Sequence, residues 1–194
     1  TPATYDLPLY YMGHIIATNF EYVAAETKID VMKGKNSYQH LWKLAHADKL
    51  NGTTSITWEN ANRFYTFTSL LDNQSELFIT KIGANDPDFN LRNEPGLMVR
   101  QIAASDHTFL SVLEAHGKFD PVNETVEGTK NSVQDLQILL KNNDYTATQL
   151  GLSDGNALLL IFTHGVSPET THQVKIGDRT INWEGNYYYE IITE

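Results

Sequence analysis

Short apolar runs rich in β-branched and aromatic residues alternate with polar turns along most of the chain. They are most regular in the final third, where Asn, Asp and Gly turns separate runs at 133–140, 156–163, 173–176, 179–183 and 187–192. Such spacing is typical of antiparallel strands joined in a meander. The pattern therefore predicts an all-β fold, an antiparallel, multi-stranded β-sandwich of layered sheets with little helix.

The earlier part of the chain continues this pattern less regularly. Residues 7–22 predict one long strand or two strands broken at Gly13, and residues 119–131 are polar and loop-like. Because no repeat, linker or domain boundary is visible, we predict a single β-sheet domain over residues 1–194. The remaining runs predict strands at 38–45, 55–58, 63–70, 76–82, 96–103 and 108–115, with a hairpin link at 59–62.

One segment is compatible with a helix as well as with a strand. Leu136, Leu139 and Leu140 have helical spacing within residues 135–141. Strand is the favoured interpretation, because the sequence on both sides has the β pattern.

A long polar segment, residues 81–95, interrupts the apolar runs near the middle of the chain. Asn and Asp side chains bond nearby backbone, Gly accepts positive φ and Pro fixes φ, so this composition predicts an ordered loop. Arg92 could pair bidentately with a ligand carboxylate or form a salt bridge with Glu94 or Asp88. A binding loop and a capped structural turn both stay open as hypotheses. The polar side chains concerned are Asn85, Asp86, Asn90 and Arg92.

The predicted strand at 108–115 leads into ionisable residues. Leu110, Val112, Glu114 and His116 share one face of a strand, so that face changes from apolar to ionisable at its end. Glu114 beside His116 could bind a hydroxylated ligand, orient another group or close a buried ion pair. The other histidines have no H-x-H or H-E-x-x-H spacing, so no metal site is predicted.

Composition narrows the classes of partner and site. The formal net charge of −10, without any basic run, opposes binding to nucleic acid or to an anionic membrane. A small anionic ligand is still permitted, because charges are screened beyond about 8 Å. The chain has no cysteine, which excludes disulfides and thiolate chemistry. No apolar run reaches the roughly 18 residues of a membrane span.

The ten tyrosines allow two interpretations. Aromatic faces stack on the C–H surfaces of sugars, and tyrosines cluster at Tyr10-Tyr11 and Tyr187-Tyr188-Tyr189. Adjacent side chains of a strand point to opposite faces, however, so a cluster of neighbours is not a flat platform. Cross-strand packing is therefore the favoured role for most of them.

Five short motifs occur in a fixed order along most of the chain. They are 38–42 (YQHLW), 62–66 (NRFYT), 82–92 (IGANDPDFNLR), 112–117 (VLEAHG) and 121–124 (PVNE). In this order they resemble the carboxy-terminal part of the heparinase II/III-like polysaccharide lyases, and among these the alginate and oligoalginate lyases of family seventeen. The order of several motifs is more specific than any one motif.

This resemblance implies a longer enzyme, in which an amino-terminal α/α toroid precedes an antiparallel β domain and the active site lies between them. Family members cleave uronate glycosidic bonds by β-elimination: the carboxylate is neutralised, a base removes the C5 proton and an acid protonates the leaving oxygen. The chain would then be a carboxy-terminal β domain of a bacterial, periplasmic or secreted lyase. It would be inactive alone and would form one wall of the cleft for alginate oligosaccharides. The start at Thr1, without an initiator Met or leader, fits a removed targeting segment or a piece of a longer protein.

The same resemblance limits what the chain supplies. The catalytic Asn-His pair and tyrosines of the family match no position here, so it implies no catalytic residue in this chain. It implies no cofactor either, since the zinc reported for the family is held by upstream residues. Substrate contacts are expected from Glu124 in the PVNE motif, followed by His116, Arg92 and Asn90. Two other functions stay open: a noncatalytic carbohydrate-binding β-sandwich and a structural β domain that supports a neighbour.

Overall fold

A computed structural model describes residues 4–8, 14–18, 21–22, 41–82, 94–102, 105–165, 167 and 169–193. These residues form strands without a helix among them, and their pairings are antiparallel. The prediction of an all-β fold is confirmed. In chain order the strands are β1 (Thr4–Pro8), β2 (His14–Thr18), β3 (Glu21–Tyr22), β4 (Leu41–Ala47), β5 (Gly52–Asn60), β6 (Arg63–Leu71), β7 (Ser75–Ile82), β8 (Glu94–Gln101), β9 (Ser111–His116), β10 (Lys118–Asp120), β11 (Thr125–Glu127), β12 (Val133–Lys141), β13 (Tyr145–Leu152), β14 (Ala157–Thr163), β15 (Thr171–Ile176), β16 (Arg179–Glu184) and β17 (Tyr187–Ile192).

The chain divides into two compact units. The first comprises Thr1–Asn62 and Leu71–Thr108, and the second comprises Arg63–Leu70 and Phe109–Glu194. In the first unit β2 lies between β1 and β5, while a second sheet has the order β3-β4-β7-β8. Strand β7 is buried from Ser75 to Thr80, which explains its nearly continuous run of apolar and small residues.

The second unit contains a four-stranded sheet of order β12-β13-β14-β17. Hairpins β10–β11 and β15–β16 belong to the same unit, and β9 pairs with β6 in the register Phe64 to His116 through Ser69 to Ser111. A bulge interrupts β12 between Ile138 and Leu140. Because a bulge changes which face the following residue points to, it accounts for the apparent helical spacing of the leucines in this strand.

Apolar side chains pack against part of each face of this four-stranded sheet. On one face Ala147, Leu159 and Ile161 pack against Val174 and Ile181 of the β15–β16 hairpin. On the other face a second cluster joins the sheet to residues of the β6 and β9 segments. Its members are Val133, Leu136 and Leu150, with Leu70, Leu110, Val112, Leu152, Leu158 and Leu160 packed against them. The second unit is therefore layered, as the β-sandwich prediction requires.

Several strand predictions are confirmed and two features differ. Residues 7–22 are broken into separate strands, and the segment 135–141 is strand and not helix. Strand β13 was not predicted, because Thr146, Thr148 and Gln149 make it less apolar than its buried central place suggests. The expected loop at 119–131 contains the β10–β11 hairpin, whose strands are too short for a periodic pattern to be visible.

The prediction of one domain over residues 1–194 stays a prediction beside these two units. In the part of the chain that the structure describes, no helix is long and apolar enough to cross a membrane.

Candidate functional site

His116 ends strand β9 and joins three backbone segments of the second unit. Its Nδ1 lies 2.8 Å from the carbonyl oxygen of Gly128, which can only accept, so Nδ1 carries a proton and donates it. In the neutral ring, Nε2 then accepts from the hydroxyl of the buried Thr66 on β6, at 2.7 Å. The imidazole also stacks on Phe64, with ring centroids 6.1 Å apart. His116 thus holds the end of the β10–β11 hairpin against β6.

Glu114, two residues earlier on the same face, holds the chain just before β12. Its carboxylate accepts from the Ser132 amide at 2.7 Å, from the Ser132 hydroxyl at 2.6 Å and from the Val133 amide at 3.2 Å. Burial raises the pKa of Glu114, but these hydrogen bonds and the nearby His116 together outweigh it, so the pKa lies below its usual value. Each ionisable group of this pair therefore binds a different backbone segment.

Gly117 sets the direction in which the hairpin leaves β9. Its φ is +53°, and a Cβ built there would lie 2.3 Å from the carbonyl oxygens of both Glu127 and Gly128. No side chain fits in that space. The close approach of the two backbone segments at Gly117 and Gly128 brings the base of the hairpin together, and an ion pair between Lys118 and Glu127, 3.2 Å apart, bridges its two strands.

Glu124 lies exposed at the tip of this hairpin, in the left-handed conformation with φ of +53°. The preceding turn is held by Asp120, whose carboxylate accepts from the amides of Val122 and Asn123 at 2.9 and 3.2 Å. The side-chain amide of Asn123, which donates to Asp120 at 2.8 Å, is the main cause of a lowered Asp120 pKa. The PVNE motif therefore forms a rigid turn that presents Glu124 to solvent, where a carboxylate can accept hydrogen bonds from hydroxyl groups.

The predicted site residues meet different outcomes. His116 contacts the base of the β10–β11 hairpin from the end of β9, and Glu124 lies at the tip of that hairpin. Arg92 and Asn90, together with the polar segment 83–93, lie outside the described residues. A role of any of the four in substrate binding stays a prediction.

A second ionisable cluster lies in the first unit, and sequence reasoning missed it. Glu76 on β7 accepts from Nε of Arg100 on β8 and contacts Nε2 of His46 on β4 at 3.2 Å. Phe78 lies under both side chains, with the His46 ring stacked at 4.7 Å and the Arg100 guanidinium carbon 5.0 Å from the ring centroid. The hydrogen bond from Arg100 is the main reason that the pKa of the buried Glu76 is lowered.

In the sequence this cluster is visible only as three polar residues, His46, Glu76 and Arg100, within otherwise apolar runs. Glu76 and Arg100 pair in register across β7 and β8, but 24 residues separate them along the chain. A cross-strand pair of this kind requires the register, which a local pattern does not supply. The cluster joins three strands and has the character of a structural clasp.

A third group of polar atoms is buried in the second unit between the four-stranded sheet and the β15–β16 hairpin. The rings of Tyr145, His172, Trp183 and Tyr188 contact one another there at centroid distances from 5.0 to 6.0 Å. Nε2 of His172 and Nε1 of Trp183 are buried without a hydrogen-bond partner among the described residues. Across those same residues, no three His, Asp or Glu side chains come together as a metal site would require.

Comparison with known proteins shows that the chain is similar to lyases that are named for alginate. One is an alginate lyase of Stenotrophomonas maltophilia, 32% identical over 185 residues that cover 95% of this chain and 25% of the relative. Another is an exo-oligoalginate lyase of Saccharophagus degradans, 32% identical over 186 residues that cover 94% of this chain and 25% of the relative. The chain thus spans about a quarter of the length of these curated relatives. No protein-family model matches it.

Proposed function

We propose that this chain is the carboxy-terminal β-sheet domain of a heparinase II/III-like lyase that degrades alginate oligosaccharides by β-elimination. In this proposal the domain forms one wall of the substrate cleft, and an upstream α/α toroid supplies the base and the acid. The complete protein would act in the periplasm or outside the cell.

The observation that carries the proposal is the similarity along nearly the whole chain to two relatives that are both named as alginate-degrading lyases. The identity of 32% extends over 185 residues and is not confined to one motif. The β10–β11 hairpin supports a contribution to binding, because its hydrogen-bonded base and turn place Glu124, an exposed carboxylate, at the hairpin tip.

Glu124 is the residue best placed to contact substrate in this proposal. A sugar ring offers hydroxyl donors, and an exposed carboxylate accepts two of them in bidentate geometry. The turn held by Asp120 lowers the entropic cost of that contact, since the backbone at Glu124 is fixed before the sugar binds. In this proposal His116 positions the hairpin that carries Glu124, because its two ring nitrogens are bonded to Thr66 and to Gly128.

The test uses the complete gene product and follows the ultraviolet absorbance of the unsaturated uronate that β-elimination forms from alginate oligosaccharides. Glu124→Gln keeps the size of the side chain and the backbone conformation but removes the charge. We expect it to lower kcat/KM about tenfold or more, the loss expected for one charged hydrogen bond. Glu127→Gln, which changes an exposed carboxylate in the same hairpin, is the matched control and should leave kcat/KM within about twofold.

Two outcomes would contradict the proposal in different ways. If the complete protein forms no unsaturated product from alginate, heparan or related uronates, the lyase function is wrong, and a noncatalytic carbohydrate-binding module becomes the better hypothesis. If product forms but Glu124→Gln and Arg92→Ala change only stability and not turnover, the chain is a structural support and not a wall of the cleft.

A further inference from the structure

Strand β17 presents an exposed strip of large side chains on one of its faces. Tyr187, Tyr189 and Ile191 are 61%, 65% and 61% exposed, and Phe162 on the adjacent β14, paired in register with Tyr187, is 45% exposed. We call these four residues the β17 strip. The sequence alone favoured packing roles for tyrosines in this cluster, but two of the three are on the surface.

The strand that carries the strip is firmly held. Six residues of β17 pair with β14, and Tyr188 and Ile192, which point to the opposite face, pack against the buried cluster around Trp183. Glu190 on that opposite face receives a hydrogen bond from Arg179 at 2.6 Å. The alternation places the packed side chains on one face, so Tyr187 and Tyr189 are both displayed on the other.

The geometry of the strip fits a flat ligand with an apolar surface. Residues i and i+2 of a strand are about 6.6 Å apart, so the rings of Tyr187 and Tyr189 are neighbours on a common face. Phe162 widens this surface across the sheet through its register with Tyr187. Strand β17 forms an edge of this sheet, because it pairs with no described strand except β14. The backbone N–H and C=O groups on the outer side of β17 are therefore in position to form hydrogen bonds with hydroxyl groups of a ligand.

Basic and hydrogen-bonding groups lie at one end of the strip. A single cross-sheet row runs from Lys141 through Thr146 and Phe162 to Tyr187, so these four residues share one face. The exposed His164 is held beside this row by Thr146, whose hydroxyl is 2.8 Å from its Nε2. An ammonium group and an imidazole on the same sheet face as exposed aromatic rings are complementary to a ring that carries a carboxylate.

From these observations we infer that the β17 strip is a noncatalytic binding surface for uronate oligosaccharides. The C–H faces of the sugar rings stack on Tyr187, Tyr189 and Phe162, and Lys141 with His164 faces a uronate carboxylate. The class of ligand rests on the proposed function, but the site is separate from Glu124 and from the β10–β11 hairpin. A second copy of the chain is the alternative occupant, and the sedimentation of the chain distinguishes it from a sugar.

The test measures binding of alginate oligosaccharides to this chain by titration calorimetry. A Tyr187→Ala/Tyr189→Ala double variant should lose at least tenfold in affinity, whereas Tyr187→Phe/Tyr189→Phe should bind within about threefold of the unchanged chain, because the stacking rings remain. Leu113→Ala removes a side chain of equal exposure, 65%, from β9 and should leave the affinity unchanged. Thermal melting of each variant checks that it is folded.

Charge recognition is tested separately. Lys141→Gln should weaken binding of the uronate oligomer but not of a neutral β-glucan oligomer, which should bind at least tenfold more weakly than the uronate to the unchanged chain. Equal binding of both sugars would overturn the uronate assignment.

The inference is overturned if the double Ala variant binds alginate oligosaccharide as tightly as the unchanged chain. It is equally overturned if the unchanged chain shows no binding, or if the double variant changes only the sedimentation of the chain, which would make the strip a contact between copies. If the complete gene product degrades alginate but the strip variants bind oligosaccharide as tightly as the unchanged chain, only this inference is wrong. If this chain binds oligosaccharide through the strip but the complete gene product has no lyase activity, the proposed function in catalysis is wrong instead.

Discussion

Gly117 is the residue at which one added atom, a Cβ, would most disturb the β10–β11 hairpin. At φ of +53° an L-residue is strained by about 1 kcal/mol, and a Cβ here would also lie 2.3 Å from two backbone oxygens. Backbone atoms cannot rotate away as a flexible side chain can. We expect Gly117→Ala to lower the free energy of unfolding, measured in urea, by about 3 kcal/mol.

The chain offers a control that separates conformational strain from steric overlap at this position. Gly177 has nearly the same φ, +58°, but a Cβ there would meet nothing within 4 Å. Gly177→Ala should therefore cost only the strain of the left-handed conformation, about 1 kcal/mol. Equal losses for the two variants would show that the approach of residues 127–128 to Gly117 is not tight in solution.

At the scale of elements, a single carboxylate connects three strands of the first unit. Glu76 on β7 binds Arg100 on β8 and His46 on β4, and the hydrogen bond from Arg100 lowers its pKa despite burial. A lowered pKa in the folded state means that the stabilisation is present above the unfolded-state pKa and is lost as pH falls through the folded-state pKa. We expect Glu76→Gln to cost about 2 kcal/mol at pH 7. It should also reduce the loss of stability in acid, which begins as pH falls through the ordinary titration range of a Glu carboxyl.

The exposed pair of Lys118 and Glu127 provides the comparison for Glu76. Its partners are also 3.2 Å apart, but both side chains are mostly in water, where an ion pair contributes less than about 1 kcal/mol. Glu127→Gln should change the free energy of unfolding by no more than about 0.5 kcal/mol and should leave its pH dependence as it was. If urea titrations at pH 7 and pH 4 show Glu76→Gln behaving in the same way, the three-strand clasp does not stabilise the fold.

The strands differed in how far the sequence could reveal them. Alternating runs such as β15, β16 and β17 carry their large residues at every second position, which a local pattern detects. Strand β13 is buried by its place between β12 and β14, and small polar residues such as Thr146 and Thr148 suffice there. Its burial comes from neighbouring strands and leaves little trace in its own residues.

For the molecule as a whole, the fold class followed from the sequence and the side-chain clusters did not. The alternation and the turns were enough to predict layered antiparallel sheets. His116, by contrast, was singled out from the sequence as a site residue, but its partner Thr66 is 50 residues away, and the 2.7 Å contact exists only because β6 pairs with β9. Likewise, the exposure of Tyr187 and Tyr189 depends on which face of the sheet the β15–β16 hairpin covers.

The path of the chain through its two units leads to a prediction about cooperativity. The chain enters the second unit at residues 63–70, returns to the first at 71–108 and crosses again at 109, so neither unit is a continuous segment. If the second unit unfolded alone, residues 63–70 would unfold between two segments that stay folded in the first unit. If the first unit unfolded alone, residues 63–70 would stay folded between two unfolded segments. We therefore expect one cooperative urea transition, as a single domain over residues 1–194 would show.

Two buried alanines report this transition, one in each unit. Ala45 on β4 and Ala147 on β13 are both fully buried, so their amide NMR signals should disappear at the same urea concentration. Gly117→Ala in the second unit should then shift the midpoint of both signals by the same amount, because the two residues belong to one folding equilibrium. Two separate midpoints, with only the Ala147 signal responding to Gly117→Ala, would mean that the crossings of the chain do not couple the units and that they are independent domains.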